Sequence, residues 1–355
     1  MAGGETRTTT HRVAVGDARE LPVDDASVEL VVTSPPYPMI DLWDDLFASL
    51  DPAVGDHLEA GDGDAAFEAM HAVLDSVWAE VDRALVPGGI ACVNVGDATR
   101  SLGDRFRVYP NHVRVTQAFE ALGFEPLPDV VWHKPANSAA KFMGSGMLPP
   151  NAYVTLEHEH VLVFRKGARR DFEPGADRRY ESAFFWEERN RWFSDVWTDV
   201  QGEFQALGHD DLRERSAAFP FEIPYRLINM YSVYGDTVLD PFWGTGTTSL
   251  AAVVAGRDSV GYEREPAFVE VFDDAVAEAP SLSRSVVERR LDRHREFVAD
   301  TRADGDSLAY DAAHYDFPVR TKQERRIRFY AVDDVQETDD GYRVRHAPIE
   351  APGDE

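Results

Sequence analysis

The first residues with the makings of chemistry are Thr33-Ser34-Pro35-Pro36-Tyr37. Neither proline can donate to a strand ladder, and each restricts the residue before it, so the turn is stiff. It offers the Ser34 hydroxyl, two proline carbonyls and the Tyr37 ring. On these residues alone two readings stay open: a ligand-facing turn, or a strand stop and nothing more. A second candidate is Asp240-Pro241-Phe242-Trp243-Gly244-Thr245-Gly246-Thr247-Thr248. Gly244 and Gly246 allow a tight turn and close approach to a ligand. The N-terminus of a following helix favours an anion. Glu263 lies 23 positions after Asp240, near the spacing of about 20 at which an acid meets a ribose diol. No Lys follows the glycines, so this is not a P-loop. A nicotinamide or flavin fingerprint would want a third glycine, where Ser249 stands.

Positioning these groups requires strands and helices. Val28 to Val32 is an apolar strand feeding the proline turn, and Arg12 to Val15 is a shorter one ending at Gly16-Asp17. Ala66 to Leu85 places Phe67, Met70, Val73, Leu74, Val77, Trp78 and Val81 at helical spacing. Pro87-Gly88-Gly89 stops that helix, and Ile90 to Val95 is the next strand. A helix from His112 to Leu122 and a strand from Pro128 to Trp132 repeat the unit. Tyr153 to Phe164 alternates as a strand. Tyr225 to Tyr231 and Ser249 to Ala255 are helices, with a strand over Ser259 to Tyr262. Helix and strand in alternation predict an α/β fold. An Arg-rich helix is expected from Glu265 to about Val298, then a polar tail in which Arg325 to Val332 pairs with Gly341 to Arg345. Tyr37 to Ala65 is acidic and expected to be irregular: either a solvated loop or a lid anchored by Trp43, Leu46 and Phe47.

The formal charge is −28 and the isoelectric point near 4.7. Lysine occurs only at positions 134, 141, 166 and 322. This composition suggests a protein of a high-salt cytoplasm; an acidic mesophilic protein is the other reading. Cys92 is the only cysteine, which excludes a disulfide within the chain and Cys-ligated zinc clusters. His158 and His160 share a strand face, but no third ligand is evident, so no metal site is expected. Met1 to His11 shows no signal peptide, and no run reaches the ~20 apolar residues of a membrane helix. The expected location is the cytoplasm.

Arg165 to Arg215 departs from the acidic background. Arg169, Arg170, Arg178, Arg179, Arg189 and Arg191 interleave with Tyr180, Phe184, Phe185, Trp186, Trp192, Phe193 and Trp197. Such a mixture suits nucleic acid. Asp and Glu residues among the arginines leave open a surface of ion pairs over an aromatic minicore.

Together the two motifs resemble the amino-methyltransferases that modify DNA with S-adenosylmethionine. These carry a [DNS]-P-P-[YFW] catalytic motif and a D-P-F-x-G-x-G-T-T cofactor motif. With the catalytic motif first, the order resembles the circularly permuted beta class. The resemblance spans about Val13 to Glu265 and includes Gly16-Asp17, Trp132-His133-Lys134-Pro135 and Phe219-Pro220. It implies a Rossmann-like methyltransferase fold: a mostly parallel twisted sheet, helices on both faces and an inserted recognition region. The implied organisation is a catalytic half at 1–164, target recognition at 165–215, a cofactor half at 216–275, and a helical and polar extension at 276–355.

The resemblance also implies roles. Ser34, Pro35, Pro36 and Tyr37 would be catalytic, with the target base flipped out of the duplex. Asp240, Pro241, Phe242, Gly244, Gly246, Thr247 and Thr248 would form the cofactor pocket. Glu263 would hold the ribose, Asp17 would face the adenine end, and Phe219 would close the pocket. Arg169, Arg170, Arg178, Arg179, Arg189, Arg191 and Trp186 would contact DNA. Serine at the head of S-P-P-Y resembles N4-cytosine members more than N6-adenine members, so N6-adenine is the alternative substrate. A non-catalytic DNA-binding protein on the same fold is the second alternative. Lys141 to Gly146 and Phe184 to Asn190 resemble archaeal stand-alone modification methylases, whose haloarchaeal members read CTAG. Duplex DNA is the implied partner. A homodimer stays open, and no residue identifies a cognate restriction nuclease.

Overall fold

The computed structural model describes residues 6–134, 143–200 and 219–349. Its centre is a sheet of ten strands. In chain order the sheet strands are β1 (Arg7–Val15), β2 (Val28–Thr33), β3 (Leu85–Val95), β6 (Phe124–His133), β9 (His158–Lys166), β10 (Val196–Trp197), β11 (Thr237–Asp240), β12 (Asp258–Glu263), β15 (Tyr330–Thr338) and β16 (Gly341–Pro348). Their spatial order is β10-β6-β9-β3-β2-β11-β12-β1-β16-β15. The central run from β3 to β1 is parallel, and the antiparallel pairings lie towards the two edges. Off the sheet, β4 (Ala98–Leu102) pairs with β5 (Arg105–Tyr109), β7 (Met143–Gly144) with β8 (Ala152–Tyr153), and β13 (Tyr310–Asp311) with β14 (Pro318–Val319).

Helices cover both faces. α3 (Gly63–Ala84) and α4 (Asn111–Ala121) lie on one face, where Met70, Leu74, Trp78 and Phe119 pack with Val31, Val93 and Leu239. α3 starts cleanly because Asp62 accepts from Ala65 N–H at its first turn. On the other face, α7 (Glu222–Tyr231) and α8 (Thr247–Ala255) bury Ile223, Leu227 and Ala252 against Leu30, Val32 and Val238. Adjacent β2 residues thus serve opposite layers, as strand geometry requires. α9 (Pro266–Ala277) and α10 (Ala279–Ala303) continue that layer towards β15 and β16.

Two expectations need correction. The acidic stretch after Tyr37 is not irregular: it forms α1 (Asp44–Leu50) and α2 (Pro52–Glu59). Asp51 caps α2 by accepting from Ala53 N–H, with Pro52 in the first turn. Only Phe47 and Val54 of the two helices are buried, so hydrophobic periodicity could not show them. The C-terminal segment is not only helical and polar, because its hairpin, β15–β16, extends the central sheet beside β1. The Arg-rich segment contributes α5 (Asp177–Glu181), α6 (Trp186–Trp192) and the edge strand β10 beside β6. Residues 201–215 of that segment and 135–142 of the loop before it lie outside the described residues.

Candidate active site

β2 and β11 are neighbours whose onward connections leave to opposite faces, α3 towards β3 and α8 towards β12. Ligands of open α/β sheets sit at such a switch, beyond the strands' carboxyl ends. Pairing Leu30 with Val238 and Val31 with Leu239 brings the ends of β2 and β11 level. Thr33 Oγ1 then donates to Asp240 Oδ1 at 2.6 Å, and Thr248 Oγ1 donates to the Val32 carbonyl at 3.3 Å. The two motifs, two hundred positions apart, are therefore one constellation.

A cavity of about 540 Å3 opens here, within the ~300–1,000 Å3 of ligand pockets. Its lining includes Asp17, Ser34, Pro35, Pro36, Phe219, Asp240, Pro241, Phe242, Gly244, Thr247, Thr248 and Glu263. Gly246 turns the chain into α8 at φ 80°, where a Cβ would lie 2.4 Å from the Phe272 ring. Glu263 braces the loop: its carboxylate accepts from the N–H groups of Gly244 at 2.7 Å and of Arg264 and Glu265 at 2.8 Å each. Asp17 is held by a two-pronged pair with Arg19 and sits below the usual carboxylate range for that reason. Burial pushes Asp240 up to about 6 and also raises Glu263. Neither has an ion-pair partner among the described residues. Two cavity-lining carboxylates without a counter-charge, beside a glycine turn, fit a cationic nucleoside cofactor. Trp43, Leu46 and Phe47 also line the cavity, so α1 covers it.

The proline turn is anchored by a polar network. Ser34 Oγ and Tyr37 Oη are 3.1 Å apart. Tyr37 Oη donates to Glu159 Oε2 at 3.0 Å and accepts from Asn94 Nδ2 at 2.9 Å. Asn94 Nδ2 also donates to Glu159 Oε2 at 2.7 Å, and Lys134 Nζ donates to Glu159 Oε1 at 2.7 Å. Burial and the Glu159 charge push the Tyr37 phenol well above its ordinary value, so it stays protonated. Below it, Asn111 Nδ2 donates to the Pro38 and Gly96 carbonyls at 3.1 and 2.9 Å. Sequence reasoning missed Thr33, Asn94 and Glu159 in this role. A signal existed for Glu159: strand alternation sets it on the face opposite His158 and His160.

His160 finds company that the sequence did not show. Asp97, His112 and His160 bring potential ligand atoms within 4.8 Å of one another. Yet the His112 and His160 rings are stacked, with centroids 4.1 Å apart and planes 14° from parallel. Imidazole lone pairs lie in the ring plane, so stacked rings cannot converge on one ion at the ~2.0–2.1 Å of a metal bond. The trio is instead an Asp97–His112 hydrogen-bonded pair with the His160 ring stacked on it. The Asp97 hydrogen bond raises His112, whereas burial and the His112 charge lower His160.

The arginines expected at DNA scatter. Antiparallel β9 carries the chain to the amino edge of the sheet, away from Ser34. There Arg170 forms an ion pair with Asp236 at 2.7 Å, and Arg169 and Arg178 line a shallow hollow with Glu29. Arg178 and Arg179 lie over the Phe172 ring, and Arg189 over Phe193. Arg191 approaches Asp199 at 3.8 Å, just past β10. Trp186 is 38% exposed, and its backbone N–H donates to Glu324. Beneath these, Phe185, Trp192 and Trp197 are buried, and Arg290 pairs with Glu188. Much of this segment is the ion-paired surface over an aromatic minicore. The structure does not bring Arg169, Arg170 or Arg178 to the proline turn.

Residues 28–274 match the DNA methylase family. The chain is 50% identical to the Type II methyltransferase M.MthZI of Methanothermobacter thermautotrophicus, over 91% of this chain and 90% of the relative. It is 47% identical to the Type II methyltransferase M.MjaI of Methanocaldococcus jannaschii, over 76% of this chain and 92% of the relative. Among solved structures it resembles TTHA0409 of Thermus thermophilus in complex with S-adenosyl-L-methionine. That match has a TM-score of 0.60 and 35% identity, covering 76% of this chain and 95% of the other. The chain therefore belongs to the DNA methylase family and uses S-adenosylmethionine.

Proposed function

We propose that this DNA methyltransferase acts on the exocyclic N4 of a cytosine flipped out of duplex DNA, within the palindrome CTAG. The observation that carries the base assignment is Ser34 at the head of the turn, hydrogen-bonded to Tyr37 and lining the cavity wall. Bound S-adenosylmethionine would supply an electrophilic sulfonium methyl for the amine, with S-adenosylhomocysteine as the leaving group and the displaced amine proton passing to water. The chain's own residues do the rest. Ser34 Oγ and the Pro35 carbonyl accept the amine hydrogens and favour a pyramidal nitrogen. Tyr37 stacks on the flipped ring, its hydroxyl fixed by Asn94 and Glu159. Asp240 and Glu263 hold the cofactor, and its hydrogen bond to Thr33 ties Asp240 to the turn. Positioning of this kind can supply much of the acceleration.

The test uses purified protein, labelled S-adenosylmethionine and host DNA, followed by digestion to nucleosides. Label in N4-methylcytosine is expected, and label in N6-methyladenine would move the substrate to adenine. Single-molecule mapping of the modified DNA reads the site, and methylation outside CTAG would refute that target. Ser34→Ala is expected to lower kcat by about 100-fold or more with cofactor binding unchanged. A variant as active as wild type would remove Ser34 from the mechanism.

A further inference from the structure

The chain has 64 Asp and Glu residues, yet none falls between Asp129 and Glu157, its longest acid-free stretch. Two of the four lysines, Lys134 and Lys141, lie within it. The described part of this stretch includes the β7–β8 ribbon, inserted between β6 and β9. The three most exposed large apolar side chains among the described residues are all there: Met147 at 85%, Val154 at 82% and Leu148 at 70%. Apolar side chains this exposed, grouped on one segment of an acidic protein, are a candidate interaction site.

The ribbon holds a defined shape. Ser145 N–H donates to the Asn151 carbonyl at 2.8 Å, and Ser145 Oγ donates to the Leu148 carbonyl. Gly144 turns at φ 67°, where a Cβ would lie 2.1 Å from the Asn151 oxygen. The Tyr153 ring stacks on Phe106 of β5, with centroids 5.0 Å apart. The root of the ribbon reaches the catalytic network. Lys134 N–H donates to the Glu157 carbonyl at 2.9 Å. Two residues on, Glu159 holds both Lys134 Nζ and Tyr37.

We propose that this ribbon is a wedge for duplex DNA, with Met147 and Leu148 entering the base stack beside the flipped base. The proposal rests on the reading of the chain as acting on duplex DNA. Three features select that partner. The stretch itself has no carboxylate to repel phosphate. It is joined directly to the residues around Tyr37. Its tip is made of Met, Leu and Pro, the residue types that pry base steps apart. Burying them between bases offsets part of the unstacking that flipping requires.

The test compares wild type with the double variant Met147→Ser, Leu148→Ser in the full chain. Both side chains point to solvent, so melting temperature and binding of labelled S-adenosylmethionine should be unchanged. On fully paired duplex, kcat/KM should fall about tenfold or more. On a duplex with a mismatch at the target base, which is already loosened, the deficit should shrink to about threefold or less. Equal loss on paired and mismatched DNA, or no loss on either, overturns the wedge. So does a wild-type dimer in sedimentation that the variant turns into a monomer, since the patch would then cover a second copy. If wild type modifies no DNA at all, the functional reading fails and the wedge with it. That result is distinct from an active wild type with an equally active variant.

Discussion

Asp240 has two requirements that conflict. It must be buried to join the ends of β2 and β11, yet its proposed contact with a cationic cofactor needs it ionised. Thr33 Oγ1 and Phe242 N–H both donate to Oδ1, but burial outweighs them and raises the group from 3.8 to about 6. A raised folded value means that the fold binds the proton more tightly than the unfolded chain does. The ionisation penalty is absent below pH ~4, grows between ~4 and ~6, and reaches about 3 kcal/mol above that. The sulfonium and ammonium charges of S-adenosylmethionine work the other way and favour the carboxylate. Cofactor affinity should therefore fall as pH drops through about 6. Asp240→Asn keeps an acceptor for Thr33 and removes the titration. It should melt higher than wild type at pH 7 without cofactor, and bind cofactor about tenfold weaker with a shallower pH dependence than wild type, the remainder coming from Glu263. Melting curves and cofactor titrations across that range check both. An Asn variant whose affinity falls as steeply below pH 6 as that of wild type would defeat the assignment.

At the scale of elements, the segment from Arg165 to Val200 shows how one composition serves two ends. Arg170 meets Asp236, whose side chain is 1% exposed and also accepts from Val233 N–H. Removing the guanidinium strands a buried carboxylate at the start of β11, a mechanism that destabilises by several kcal/mol in dry sites. Arg170 is itself partly exposed, so Arg170→Ala should lower stability by about 2 kcal/mol while leaving the KM for DNA within about twofold of wild type. Chemical denaturation and steady-state kinetics separate the outcomes; a large rise in KM with unchanged stability would return Arg170 to the DNA surface. Sequence could not make this distinction, because an arginine's partner depends on which edge the strand reaches. It did show what depends on local pattern. The run from Val28 to Val32, the spacing from Phe67 to Val81 and the glycines at 244 and 246 became β2, α3 and the turn into α8. α1 and α2 were hidden because two short acidic helices bury one side chain each. The Tyr37, Asn94, Glu159 and Lys134 network was hidden because it joins β3, β9, the residue that follows β6 and a turn, which only the sheet order brings together.

For the whole molecule the question is how a chain of charge −28 approaches a polyanion. DNA-binding proteins with basic surfaces gain from counterion release and lose about 10³–10⁵ in affinity between 50 and 200 mM salt. This chain keeps an acid-free stretch of sequence from residue 130 to 156 inside an otherwise acidic one. The repulsion acts at range and salt screens it, with a Debye length near 10 Å at 0.1 M and 3 Å at 1 M. Contacts made at the ribbon and the turn are short and largely apolar or hydrogen-bonded, so salt weakens them little. The balance predicts an inverted salt profile. As KCl rises from about 0.1 to 1 M, the KM for duplex DNA should fall or hold steady, while cofactor binding changes little. Methylation kinetics on one DNA fragment across that range measure it. A KM that climbs steeply with salt would mean that phosphate contacts from scattered arginines, such as Arg189 and Arg191, dominate binding. In that case the net charge of the molecule would say nothing about how it meets DNA.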